Sequence, residues 1–438
     1  MKKVYKAHIL FTKEKDRFEV FENGYVAVGD DGRVVGVANS LEDLKVQFPA
    51  FNVQRAEFID FGDKLLIPAM NDMHVHAPQV HNQGVAMDLE LLPWLQNYTF
   101  PEESKYADVE YAERMYRRFM HTQWLFGTMR SVVFGTVHTE STRILMKLYQ
   151  EAGMGALVGK VAMNRNCPDA LCEDVEAAVE GMEQLIAEIP QTSNLNPQTS
   201  NLVRPIITPR FVPSCTPELL KACGELANKY QLPVQSHLSE NVSEIAWVAE
   251  LEPESKSYGD AYNRYGLFGQ TPTIMAHCVW TKGEELELMK RNHVMVAHCP
   301  TSNFNIASGM APLRTFLDEG VPIGLGSDIS GGHDLNMFRM LVYAIQVSKM
   351  HYQQDHNKPF LTLSEIFWIA TKSAGSFFGK VGSFEPGYDF DALVIDDAVL
   401  YPSEYSLQHR LERFIYVGDD RQIAHRFCRG QEVPEPKV

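Results

Sequence analysis

Between about residues 67 and 380 the chain alternates short apolar runs with helix-like segments, and few folds accommodate that pattern. One run, Leu65-Leu66-Ile67, leads into Asn71-Asp72-Met73-His74-Val75-His76; the others fall at 131–134, 156–161, 204–208, 232–236, 273–276, 294–297 and 322–326. Helical spacing fills the gaps, for example at 174–188, 217–230 and 242–250. Eight such strand-sized runs joined by helices predict parallel βα units, most simply an eight-stranded α/β barrel. An open doubly wound sheet is the rival. It calls for a glycine-rich phosphate loop after the first strand, where this chain carries Asp72, His74 and His76.

The two ends of the chain have a different texture. Val26-Ala27-Val28 and Val34-Val35-Gly36-Val37 flank an Asp31-Gly32 pair, a strong hairpin signal. Near the C-terminus, 388–395 and 413–417 read as strands. Two β-rich ends flanking a long middle predict one small sheet domain built from both.

Alternate residues of a strand share a face, so His74 and His76 point the same way. That is half of a metal site, or two surface histidines. His237, His277, His298 and Asp328 sit where the fifth to eighth runs end, which is where barrels of this kind carry their chemistry. Each alone reads as a packed core side chain; together they suit zinc or iron with an open position for water. Water on such a metal ionises near neutral pH and needs a proton shuttle. Glu240, three residues after His237, reaches the same level, although alone it reads as an acid favoured at a helix N-terminus.

The net charge of −16 argues against nucleic acid as a partner. Seven cysteines at irregular spacing, with no Cys-x-x-Cys, predict a reducing compartment and no disulfide framework. Lys6 and His8 interrupt any signal-peptide core, and no apolar run of about 18 residues occurs, so a cytoplasmic protein without a membrane span is expected. Gln191-Thr192-Ser193-Asn194-Leu195 recurs as Gln198-Thr199-Ser200-Asn201-Leu202 and reads as a polar surface loop.

Asp72-x-His74-x-His76, His237-x-x-Glu240, His277 and Ser327-Asp328 together resemble the amidohydrolase superfamily, in that family's order of strands 1, 5, 6 and 8. Pro386-Gly387-Tyr388-Asp389-Phe390-Asp391-Ala392 resembles the family's return to its small β domain, so the resemblance spans nearly the whole chain. Within the superfamily it is nearest to the guanine deaminase family. Leu91-Leu92-Pro93-Trp94-Leu95-Gln96-Asn97-Tyr98-Thr99-Phe100-Pro101-Glu102, Thr208-Pro209-Arg210-Phe211 and Gln79 carry that likeness. The sequence departs from the family in Pro68-Ala69 for Pro-Gly, in Asn71 for an aliphatic residue and in Val80 for an aromatic one.

The resemblance implies a TIM-like (β/α)8 barrel over 67–380 and a small β-sandwich made by 1–66 with 381–438. It implies one zinc per chain, held by His74, His76, His237 and Asp328. His277 would support the attacking water and the tetrahedral intermediate, Asp328 would also take a proton from that water, and Glu240 would protonate purine N3 and help the amine leave. Gln79 and Arg210 would bond the purine, and Phe211 and Trp94 would pack on its faces. Guanine and water are the implied reactants, with xanthine and ammonia as products of purine catabolism; a homodimer is implied as well. The alternatives are a deaminase of another purine (8-oxoguanine among them), a pyrimidine or a triazine, and a scaffold that has lost catalysis. A two-metal cyclic amidase needs a carboxylated lysine where this chain has Arg210, and the Pro-Cys-x-x-Cys of the unrelated zinc deaminases does not occur.

Overall fold

The computed structural model describes residues 2–188, 201–400 and 405–438, so most of the polar repeat at 191–202 lies outside the described residues. The first strands are β1 (Lys3–Phe11), β2 (Glu19–Val28), β3 (Val34–Ala38) and β4 (Glu57–Pro68). They are followed by β5 (Met70–His76), β6 (Thr128–Phe134), β7 (Gly155–Gly159), β8 (Val161–Ala162), β9 (Val203–Pro205) and β10 (Thr208–Pro209). The second half carries β11 (Val234–Leu238), β12 (Thr273–His277), β13 (Met295–His298), β14 (Ile323–Leu325), β15 (Ala392–Ile395), β16 (Ile423–Cys428) and β17 (Gln431–Glu432).

The middle of the chain forms two four-stranded sheets, β5-β6-β7-β9 and β11-β12-β13-β14, and every pairing in them is parallel. They touch on both sides. Ile207 bridges Val234 in parallel, and the Asp328 amide donates to the His74 carbonyl at 2.9 Å. The space between them is filled by Met73, Val132, Leu157, Ile206, Ile274 and Met295, apolar side chains drawn from successive strands. Contact is close enough that a Cβ on Gly159 would lie 1.7 Å from Thr208 Oγ1, so this position admits only glycine. Helices pack outside, as at Pro217–Tyr230 and Val242–Leu251, which fall where the apolar spacing puts them.

The third and fourth runs are each broken in two. β8 pairs with β10 separately from the β7–β9 pairing. Pro205 and Pro209 have no amide to give a ladder, so a continuous fourth strand is not available.

Both chain ends meet in one seven-stranded sheet of order β17-β16-β15-β4-β1-β2-β3. The hairpin at Asp31-Gly32 is present, with β2 and β3 antiparallel and Gly32 at φ +79°, where a side chain is disfavoured. The second C-terminal strand is not where it was expected. Residues 413–417 end the helix Leu407–Val417 instead. Leu407, Leu411, Phe414 and Ile415 share its buried face and Ser406 caps it, a helical spacing that a five-residue apolar window hides. The 388–395 strand begins only at Ala392.

A buried ion pair fastens the sheet of the chain ends to β6. Arg130 donates to Asp391 Oδ2 at 2.5 Å and to Asp389 Oδ2 at 2.8 Å. The Arg130 and Asp391 side chains are 5% and 2% exposed. Asp391→Ala strips a buried guanidinium of its nearest counter-charge and is expected to cost about 3–5 kcal/mol. The check is the urea midpoint; an unchanged midpoint would show that the pair is not holding the two parts together. No helix among the described residues is long and apolar enough to cross a membrane.

Candidate active site

Six of the side chains singled out in the sequence come together beyond one end of the two parallel sheets. His74 and His76 close β5, His237 is the fourth residue of β11, His277 ends β12, and Asp328 follows β14 by three residues. Glu240 follows β11 by two, just ahead of the helix Val242–Leu251. Five of the six are at most 5% exposed, and His237 is half-buried. His277 and Asp328 both have left-handed backbones, φ 72° and 47°, a conformation that non-glycine residues adopt at a cost and chiefly at functional turns.

The donor atoms converge on one point. Asp328 Oδ1 lies 3.2 Å from His74 Nε2 and 3.4 Å from His76 Nε2, and the His76 and His237 Nε2 atoms are 3.2 Å apart. His74 Nε2 nonetheless has no aligned hydrogen-bond partner. Close approach without alignment is what ligands of a shared cation show, since each lone pair aims at the ion and not at its neighbour. His74, His237 and His277 can also present one ligand atom each within 4.8 Å of one another.

The protonation pattern agrees. Burial holds the His76 and His237 rings well below the usual histidine range, so both are neutral near neutral pH. His237 Nδ1 meets the Arg210 carbonyl at 2.6 Å, which makes Nδ1 the donor and turns the Nε2 lone pair inward. The Asp328 carboxyl is raised by burial, but His74, His277 and His76 outweigh that and hold it well below its ordinary value. Glu240 goes the other way: burial first, then the Asp328 charge, push it up to about 8. His277 stands between them, its Nε2 at 3.4 Å from Glu240 Oε2 and 3.7 Å from Asp328 Oδ2.

A partly open cavity lies beside these groups. Gln79, Trp94, Arg210 and Phe211 all line it with Glu240, so every residue expected to touch a substrate faces one space. Leu91, Leu95 and Ile306 complete an apolar wall.

Sequence reasoning missed the groups that hold these in place. Ser308 donates to Glu240 Oε1 at 3.1 Å, and Asn303 Oδ1 meets His277 Nδ1 at 2.9 Å. Glu244 caps the helix after Glu240, accepting from the Glu240 and Asn241 amides, and it also lines the cavity. Glu103 binds both Gln79 and Arg210. Glu102 and Glu103 follow Pro101 in a short helix and read as two ordinary first-turn acids; nothing local separates the buried bridge from its neighbour. His298, the remaining run-ending histidine, is fully buried and pushed down to about 3 by burial, with His277 and His351 adding to the shift.

Residues 65–433 match the Amidohydrolase family. The chain is 35% identical to a guanine deaminase of Dictyostelium discoideum, covering 98% of each chain. It is 33% identical to the guanine deaminase of Escherichia coli K12, covering 86% of this chain and 84% of that one. The solved structure of a guanine deaminase from C. acetobutylicum with guanine bound in its active site is similar at a TM-score of 0.94, with 48% identity over 99% of this chain and all of that one.

Proposed function

Because this chain belongs to the amidohydrolase family, with guanine deaminases as relatives along nearly its whole length, we propose that it deaminates guanine to xanthine and ammonia. The observation that carries the mechanism is the opposed pair around His277. Two carboxyl groups in one cavity are pushed apart, Glu240 upward and Asp328 downward, which separates an acid from a base.

In this reading one zinc is held by His74, His76, His237 and Asp328. When bound, zinc supplies a Lewis acid that makes a water acidic enough to attack at neutral pH. Asp328, already ionised, accepts a proton from the water that attacks purine C2. Glu240, holding its proton near neutrality, gives it to ring nitrogen N3, so the electrons displaced from the C2=N3 bond are neutralised where they arrive. His277, its Nδ1 tied to Asn303, bonds the oxygen being added. Glu240, ionised by that transfer, takes the remaining proton of the added oxygen and carries it to the exocyclic amine; the oxygen becomes the C2 carbonyl, the C2–N bond breaks, ammonia leaves, and the proton held by Asp328 returns to Glu240. Gln79 and Arg210 supply directed bonds to the purine edge, and Phe211 and Trp94 cover its faces.

The same reading joins the two parallel sheets into one (β/α)8 barrel over 67–380; the Ile207–Val234 bridge and the Asp328–His74 bond support closure. Residues 1–66 and 381–438 form the second domain, a sheet curled into a small sandwich. The Arg33–Asp389 bridge, between the residues leading into β3 and β15, and the shared Tyr5, Phe384 and Phe390 core support that curl. We place the functional unit as a homodimer.

Purified protein given guanine, 8-oxoguanine, adenine, cytosine and melamine in turn tests the assignment. Guanine is expected to be the preferred substrate, with xanthine and ammonia formed in equal amounts, and metal analysis is expected to find one zinc per chain. Turnover of another compound in the panel without xanthine from guanine would remove the assignment; two metals per chain would remove the one-zinc site.

A further inference from the structure

We infer that Glu103, which the cavity does not touch, is the positioning residue that sets both the hydrogen-bond polarity and the charge of the purine-binding edge. The inference rests on the guanine-deaminating reading above. The geometry is a short chain with one consistent direction. The Ser330 amide donates to Gln79 Oε1 at 2.9 Å, so the carbonyl end of that side chain is fixed. Its other end, Nε2, donates to Glu103 Oε1 at 2.8 Å. The second oxygen of the same carboxylate, Oε2, accepts from Arg210 Nη1 at 2.5 Å. Glu103 is 1% exposed and Arg210 2%. The guanidinium also lies 5.1 Å from the centre of the Phe100 ring, which holds its plane.

Two consequences follow from the chemistry of these groups. A carboxylate only accepts, so it ends a chain in which every other member donates toward it. Gln79 therefore cannot flip: reversing its amide would face Nε2 to the Ser330 amide and Oε1 to the carboxylate, two like-to-like contacts at once. One N–H and one lone pair of Gln79 stay free for the cavity, in a known order. The second consequence is electrostatic. Arg210 alone would place an uncompensated cation in a buried pocket. Paired with Glu103 it offers directed N–H groups without net charge, which suits neutral guanine. The product carries a second ring carbonyl and loses a ring proton more readily, so an uncompensated Arg210 would favour the product as an anion. Glu103 thereby holds the site toward substrate and away from product retention.

Glu103→Gln and Glu103→Asp test this against the wild type, each checked for an unchanged circular dichroism spectrum and zinc content. In Glu103→Gln the amide must point its NH₂ at either Gln79 or Arg210, so one link is lost and the charge goes with it. The Michaelis constant for guanine is expected to rise at least about tenfold with kcat within about threefold. Xanthine should at the same time inhibit more tightly, moving the ratio of its inhibition constant to that Michaelis constant down at least about tenfold. Glu103→Asp keeps the charge and shortens the reach. It should raise the Michaelis constant but leave xanthine inhibition no tighter than in the wild type. A merely structural Glu103 would weaken substrate and product together in both variants, and that result, or no change in Glu103→Gln, overturns the inference. If Glu103→Gln fails to fold, tighter xanthine inhibition in Glu103→Asp overturns it and wild-type inhibition with a raised Michaelis constant supports it. Wild-type protein inactive on guanine removes the functional reading and this inference with it, whereas active wild type with an unaltered Glu103→Gln removes Glu103 alone.

Discussion

Glu240→Gln is expected to lower kcat for guanine by about 10³–10⁴-fold while leaving the fold and the bound metal intact. The two side chains have the same shape. A glutamine carbonyl still accepts the Ser308 hydroxyl that now reaches Glu240 Oε1 at 3.1 Å, so the side chain keeps its place. What disappears is the proton. Burial and the neighbouring Asp328 charge raise the carboxyl to about 8, so near neutrality it has one to give, whereas an amide neither gives nor takes one in this range. Guanine turnover by absorbance, with zinc measured on the same sample, checks the outcome. A variant that loses its zinc says nothing of proton transfer, which is why both are read together. Retention of more than about a tenth of the wild-type kcat with zinc in place would mean that another group moves the proton.

Removing the ion itself should have the widest effect. Chelation, or His237→Ala, is expected to bring turnover to less than about 10⁻³ of the wild type, because both the activated water and the charge that steadies the tetrahedral oxygen go with the metal. Stability should fall too. A ligand present at 1,000 times its dissociation constant stabilises the folded state by about 4 kcal/mol, so the chelated protein is expected to melt well below the zinc-loaded form. Three buried imidazoles and a carboxylate would then face one another with His76 and His237 Nε2 only 3.2 Å apart and no cation between them. Added zinc should restore activity and melting temperature in the chelated wild type and neither in His237→Ala. Full activity after complete metal removal would exclude the proposed chemistry.

Much of this arrangement was legible in the sequence, and the reason is periodicity. The apolar runs of the parallel sheets and helices such as Pro217–Tyr230 and Val242–Leu251 bury one face along a regular repeat, which local spacing records. The proposed ligands could be picked out because they end those runs. The helix Leu407–Val417 was misread because a window of five residues cannot separate a period of 3.6 from a strand. Glu103 and Asn303 were invisible for a different reason. Their roles come from partners far along the chain, Arg210 at 107 residues for Glu103 and His277 at 26 for Asn303, and no local pattern marks which of two adjacent buried glutamates bridges Gln79 and Arg210.

The bond that joins Asp72 to Ser327 spans 255 residues, and the Ser330–Gln79 bond spans 251. Those spans set an order of events during synthesis. The His-x-His pair leaves the ribosome early, and at roughly 5–20 residues per second the strand bearing Asp328 follows about 13–51 s later. Contacts of such separation also close slowly once the chain is free. A nascent chain thus carries two, then with His237 three, of the four proposed ligands, and lacks the carboxylate that compensates the ion until Asp328 is added, three quarters of the way along the chain. In the proposed site, full coordination waits until Asp328 has been made, and a chain truncated between His76 and Asp328 would have the strand that begins the site and no means of completing it.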